Sequence, residues 1–239
     1  VGYQGPSGFL VTGNVTHSNF RGTGERVAAD VAYFSTSKSV SLSHTDPFFN
    51  DSGVSQTLSL SYRNTDSVVR TSSGFDTNAF NVSATYGLPL SEYANARIGL
   101  GVEKLSLRTS GSSSVEVLDF VTANNDEYLN YELRTGVTYD SRDRTILPQS
   151  GLLERFSFDV TLPGSDLQYF TAQLRHEQYI NLGKYFSLGM TGRLGYGAGY
   201  GGNDLPPYEN YFAGGFETVR GFRDNSLSPL DSFGSTYGG

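Results

Sequence analysis

The 239 residues contain no cysteine, no tryptophan and a single methionine. Without thiols there can be no disulfides and no thiolate metal site, so ladders and packing must hold the fold. No stretch approaches the roughly 18 consecutive apolar residues that a spanning helix needs, which excludes a helical membrane protein. There is no basic excess either. A net charge of −7 argues against nucleic acid and anionic lipid surfaces as partners. The three histidines, His17, His44 and His176, lie far apart in different predicted strands, so neither a metal nor a cofactor is expected. Ser, His and Asp form no catalytic grouping, and no catalytic residue is expected. No secretory signal opens the chain, and Val1 reads as the middle of something, as in a mature fragment.

What the chain does hold is glycine, 29 residues, with 16 tyrosines and 16 phenylalanines, in a frame whose mean hydropathy is −0.33. Strand-period alternation recurs along almost the whole length. Phe156, Phe158, Val160 and Leu162 alternate with Arg155, Ser157, Asp159 and Thr161; Phe186, Leu188, Met190, Leu194 and Tyr196 with Ser187, Thr191 and Arg193. Phe80, Val82, Ala84 and Tyr86 do the same with Asn81, Ser83 and Thr85, and Leu58, Leu60 and Tyr62 with Thr57, Ser59, Ser61 and Arg63. Val27, Ala29, Val31 and Tyr33 make another apolar row. Roughly eleven or twelve such segments, each near the ~10 residues of a tilted membrane strand, predict an all-β antiparallel barrel.

The links alternate too. Tight ones carrying Gly, Pro, Asn or Asp fall at 19–25, 46–53, 88–95, 141–151 and 181–184, and longer polar ones at 64–77, 108–130 and 197–219. Short periplasmic turns and long external loops are the pattern of an outer-membrane barrel. Within the second long link, Val115, Leu118 and Val121 at three-residue spacing predict a short surface helix over 115–124.

Alternation alone does not say which face meets lipid, since a lipocalin-like barrel or a β-sandwich alternates with its apolar side inward. Two features favour the membrane. The polar rows are rich in Ser, Thr, Asn, Arg and Asp, and aromatics such as Phe49, Tyr86, Tyr139 and Tyr179 sit near strand ends, where an interfacial girdle lies.

Other signals carry less. The run from Gly195 to Gly202 follows no βαβ pattern, so it reads as a strand end that needs close packing rather than a dinucleotide loop. Asp140, Arg142, Asp143 and Arg144 share a predicted turn with no nucleophile beside them and read as turn-stabilising. Two glycosylation triplets, at Asn14 and Asn81, fall inside predicted strands and read as chance.

One stretch is more specific. Pro207-Tyr208-Glu209-Asn210-Tyr211-Phe212-Ala213-Gly214-Gly215, followed by Thr218-Val219-Arg220-Gly221-Phe222, resembles the long sixth external loop of the BamA family, in the bacterial surface antigen and two-partner secretion superfamily. Asn19 to Gly24 resembles that family's first periplasmic turn, Asp46-Pro47-Phe48-Phe49 the second, Tyr139 to Arg144 with Pro148 and Gly151 the fourth, and Leu162-Pro163-Gly164-Ser165 the external hairpin that follows. The resemblance covers essentially the whole chain, beginning inside the first strand.

It implies a partial transmembrane barrel over 1–239, about 12 of an expected 16 strands, with the sixth external loop at 197–229 and with upstream POTRA domains and the closing strands absent. It also implies the core of the machinery that folds and inserts β-barrels in the outer membrane of Gram-negative bacteria. The partners would be unfolded outer-membrane proteins, accessory lipoproteins and the bilayer. Val1, Gly2, Tyr3 and Gln4 would belong to the strand edge that templates substrate. Gly214, Gly215, Val219, Arg220, Gly221 and Phe222 would form a latch folded back into the lumen, Arg220 finding its family partners beyond this chain or, less well, Asp140, Asp159 or Glu177. The alternative within the superfamily is a secretion pore exporting a protein substrate. An outer-membrane enzyme, such as a barrel lipase or protease, finds no support in these residues.

Overall fold

The computed structural model describes residues 2–4, 8–34, 37–66, 74–111, 113–215, 218–223, 225–232, 234 and 236–238. Its strands are β1 (Gly2–Gln4), β2 (Gly8–Phe20), β3 (Glu25–Phe34), β4 (Ser37–Asp46), β5 (Ser55–Asp66) and β6 (Phe75–Pro89). After β7 (Ala94–Thr109) comes the helix α1 (Val115–Asn124), and then β8 (Glu127–Asp140), β9 (Gly151–Thr161), β10 (Tyr169–Asn181) and β11 (Ser187–Gly199). The eleven strands form one sheet in sequence order, each antiparallel to its neighbour. Every short predicted link joins two of these strands at one rim. At Phe20–Glu25, for example, the Asn19 side chain accepts from the Gly24 amide at 2.8 Å while Gly22 and Gly24 take positive φ of 80° and 81°.

Register sorts the residues into two faces. Leu42, Leu60, Val82, Val102 and Tyr131 stand opposite one another in turn across five strands. All five are exposed on one face. In the neighbouring register the opposite face carries Ser59 and Ser83, whose hydroxyls meet at 2.7 Å, then Gly101 and the buried Glu132. Apolar outside and polar inside is the arrangement of a barrel wall in lipid, because hydrocarbon solvates only the apolar row and the polar row must turn to the interior. The chain is an all-β antiparallel wall of the transmembrane kind. Among the described residues the one α-helix, α1, has ten residues.

Near the external rim the order reverses. Phe75, Leu105, Leu107 and Tyr128 point inward and are buried together with Val117 and Phe120 of α1 and with Leu167 and Tyr169. The outward row beside Leu105 and Leu107 is polar: Asn64, Asn78, Ser106 and Glu127 stand opposite one another in turn, Asn64 donates to Asn78, and Lys104 pairs with Glu127 at 2.9 Å. The alternation in β7 changes phase between Val102 and Leu105, and its register with β6 and β8 runs through unbroken.

The predicted helix over 115–124 is present as α1, with Val115 and Leu118 exposed and Val117 and Phe120 the buried pair. The Ser114 cap, whose hydroxyl accepts from the Val117 amide at 3.4 Å, starts the helix so that Val117 and Phe120 face the strand ends. One expectation needs correction: Tyr179 is not a girdle residue. It shares the inward row of β10 with Thr171 and Glu177, and its hydroxyl donates to Glu177 at 3.3 Å. Phe49 and Tyr86, stacked edge-to-face at 5.6 Å, and Tyr93 and Tyr139, at 6.3 Å, do sit together at the turn rim.

Candidate functional site

Beyond β11 the chain doubles back across the inward face. Gly201 and Gly202 make the turn with φ of 66° and 93°, and the Tyr200 amide donates to the Gln168 carbonyl at 2.8 Å. The returning residues lie on a glycine row. A Cβ at Gly195 would stand 2.7 Å from the Tyr211 ring, one at Gly197 3.0 Å from Leu205, and one at Gly199 1.9 Å from the Asn203 carbonyl oxygen. At Gly195, Gly197 and Gly199 the inward face of β11 thus forms a slot that only glycine leaves open.

Pro206 and the 3₁₀ turn Pro207–Glu209 come next. Pro206 and Pro207 are fully buried, and Tyr208 packs edge-to-face on Tyr169 with ring centres 6.4 Å apart. Glu209 reaches a cavity of about 240 Å³ lined also by Glu103, Glu132, Arg134, Asp159, Thr161 and Thr171. In that cavity Arg134 donates to Glu132. Burial pushes the Glu209 carboxyl up to about 7, and the neighbouring Glu132 and Asp159 add to the shift.

The Gly-Gly and Val-Arg-Gly-Phe elements then close on each other. The Thr218 hydroxyl accepts from the Gly214 amide at 2.8 Å and donates to the Gly214 carbonyl at 2.7 Å, and the Gly215 amide donates to the Phe222 carbonyl at 3.1 Å. Gly214 has φ of 108°, and a Cβ there would stand 2.5 Å from the Arg223 carbonyl oxygen. Gly214 and Gly215 are buried at the base, while Val219, Arg220, Gly221 and Phe222 form an exposed tip. The chain ahead of the tip is tied back as well: the Leu227 amide donates to the Ala213 carbonyl at 2.9 Å, and the Ser232 amide donates to Glu116 of α1 at 2.8 Å.

Of the three acidic candidates for Arg220, two hold other cations. Arg142 makes a two-pronged contact with Asp140 at 2.9 and 2.8 Å and lies 3.6 Å from Glu177, which also accepts from Arg175 at 2.6 Å. Asp159 lines the Glu209 cavity. Asp143 serves its own turn, accepting from the Gln149 and Ser150 amides at 2.9 and 3.2 Å. At the far end of the sheet Gly2, Tyr3 and Gln4 stand opposite Leu10, Phe9 and Gly8, and Val1 lies outside the described residues. Sequence reading did not pick out Glu103, Glu132, Arg134 and the glycine slot as a unit. Polar residues at inward parity were the available signal, but their convergence depends on the register of five strands.

Residues 19–239 match the Omp85 superfamily domain. Among curated proteins, the outer membrane protein assembly factor BamA of Neisseria meningitidis serogroup B is 29% identical over 254 residues, covering 100% of this chain and 32% of that relative. BamA of Nitratidesulfovibrio vulgaris is 24% identical over 234 residues, 97% of this chain and 28% of the relative. The crystal structure of BamA from Haemophilus ducreyi lacking POTRA domains 1-3 superposes with a TM-score of 0.88 at 27% identity, covering 94% of this chain and 45% of that one. The chain spans about a third of the length of the curated relatives it matches.

Proposed function

The chain belongs to the Omp85 superfamily and lies in the bacterial outer membrane, and we propose that it is the transmembrane part of a β-barrel assembly factor, which folds and inserts other outer-membrane β-barrels. The observation that carries this reading is the returning segment, whose Gly-Gly and Val-Arg-Gly-Phe elements close on each other and whose base is seated on the inward face. The likeness to BamA proteins over nearly the whole chain supports it. In this reading residues 1–239 are barrel wall and 197–229 the sixth external loop.

The physical task is to cover backbone. An unpaired strand entering hydrocarbon leaves N–H and C=O groups unsatisfied at several kcal/mol each, roughly. A strand at the sheet's end can lend its own groups to the newcomer, so that main-chain hydrogen bonds supply affinity with little dependence on side chains. β1 occupies that end here. Val1, Gly2, Tyr3 and Gln4 belong to the templating edge, and unfolded outer-membrane proteins are the substrates, delivered with the help of accessory lipoproteins. Gly214 and Gly215 with Val219, Arg220, Gly221 and Phe222 are the latch: the glycine base fixes the tip, and Arg220 offers a planar guanidinium for a charge-assisted pair.

Arg220→Ala in the full-length protein tests this. Outer-membrane barrel levels and the heat-modifiability of the protein's own barrel are expected to fall together. A sound barrel with normal insertion of other outer-membrane proteins, but failed export of one dedicated substrate, would make the chain a secretion pore.

A further inference from the structure

The wall and the segment seated on it meet through charges of one sign. Glu209 enters a cavity where Glu103, Glu132 and Asp159 already stand. One guanidinium lines that cavity, Arg134, and it is bonded to Glu132. Arg63 of β5 and Arg97 of β7 act on Glu103 and Asp159 from along the wall, and the remaining titratable neighbours are the phenols of Tyr169, Tyr208 and Tyr211. Four carboxylates crowded about one cavity with so little positive charge cannot all be ionised together. The unit keeps a proton, and the carboxylate that arrives on the movable partner is the one whose arrival creates the need for it.

We infer that the seating of residues 203–215 on the inward face is coupled to proton uptake at this carboxylate cluster, so that the segment is held under mildly acidic conditions and loosened above neutrality. The neighbouring contacts leave room for such a change. Tyr211, Leu205 and Asn203 rest against the glycine slot, where Gly195, Gly197 and Gly199 present no side chain to them. Glu209 binds its proton more tightly when seated, near pH 7, than in water, near pH 4.5. Its stabilising contribution is therefore complete below about pH 4.5 and is lost as the pH rises through about 7. From pH 6 to pH 8 the seating equilibrium should fall about tenfold. This device is separate from the assembly reading, because it concerns how the segment is held and not what the barrel handles.

The test is hydrogen exchange of the Tyr208 to Gly215 amides in the full-length protein in lipid vesicles at pH 6 and pH 8, corrected for intrinsic exchange rates. Protection of these amides is expected to drop about tenfold at pH 8, while the amides of Leu105 and Leu107 stay unchanged. Glu209→Gln should remove the pH dependence and keep the high protection at pH 8. Glu103→Gln, which leaves the segment's own sequence intact, should also raise protection at pH 8. Equal wild-type protection at the two pH values, or a Glu209→Gln protein that keeps the tenfold change, overturns the proposal.

Discussion

The membrane band and the external cap of this sheet are built from the same strands with opposite polarity. In the band, Leu42, Leu60, Val82 and Val102 face outward and Ser59, Ser83 and Glu132 inward; in the cap, Leu105, Leu107 and Tyr128 face inward and Lys104 and Glu127 outward. The difference shows that a strand's inside is defined by its surroundings. Hydrocarbon solvates the apolar row below, and water solvates the polar row above, where the apolar residues must find α1 and each other instead. The cap is thus a small water-type core standing on a lipid-type wall.

The sharpest way to break this comparison is inside the cap. Leu107 is fully buried, and Leu107→Ala should cost about 2–5 kcal/mol. Hydrogen exchange should show α1 losing protection while the strand amides beside Leu60 keep theirs. Loss of both together would mean that cap and band are one cooperative unit. In the band, Leu60→Arg places a charge on the lipid face and should cost about 2–4 kcal/mol, read by denaturant unfolding in vesicles. An unchanged midpoint would show that Leu60 does not meet hydrocarbon. The smallest effect is expected at the helix cap: Ser114→Ala removes the acceptor for the Val117 amide and should cost about 1 kcal/mol, seen as faster exchange confined to the first turn of α1.

Much of the band was legible because its repeat is two and nearly every strand obeys it. The rows through Leu58, Leu60 and Tyr62 and through Phe80, Val82 and Ala84 read directly from the chain, and their turns carry the Gly, Asn and Asp that such links require. The helix was legible in extent and not in facing. Val115, Leu118 and Val121 mark one stripe, and Val117 with Phe120 marks another at the same spacing. Packing over β6 and β7 chose the second. Tyr179 shows the same limit from another side: an aromatic near a strand end suits a girdle, but its parity in β10 turns it toward Glu177. The Glu209 cavity was the least legible feature, because Glu103, Glu132, Asp159 and Glu209 come from four separate stretches of chain. The glycine slot was half visible. The Gly195 to Gly202 run announced close packing but not what would pack there.

The change of phase in β7 also works as a depth mark. Ala94 to Val102 is nine residues of strand below it, and at about 3.3 Å each, tilted by about 40°, they rise roughly 23 Å. The ion pair of Lys104 and Glu127 marks the waterline just above. A wall cut to that height fits a thin hydrocarbon layer. In a thicker bilayer the pair would be drawn below the surface, and the sheet would have to tilt, or the lipid thin around it, to bring the charges back to water.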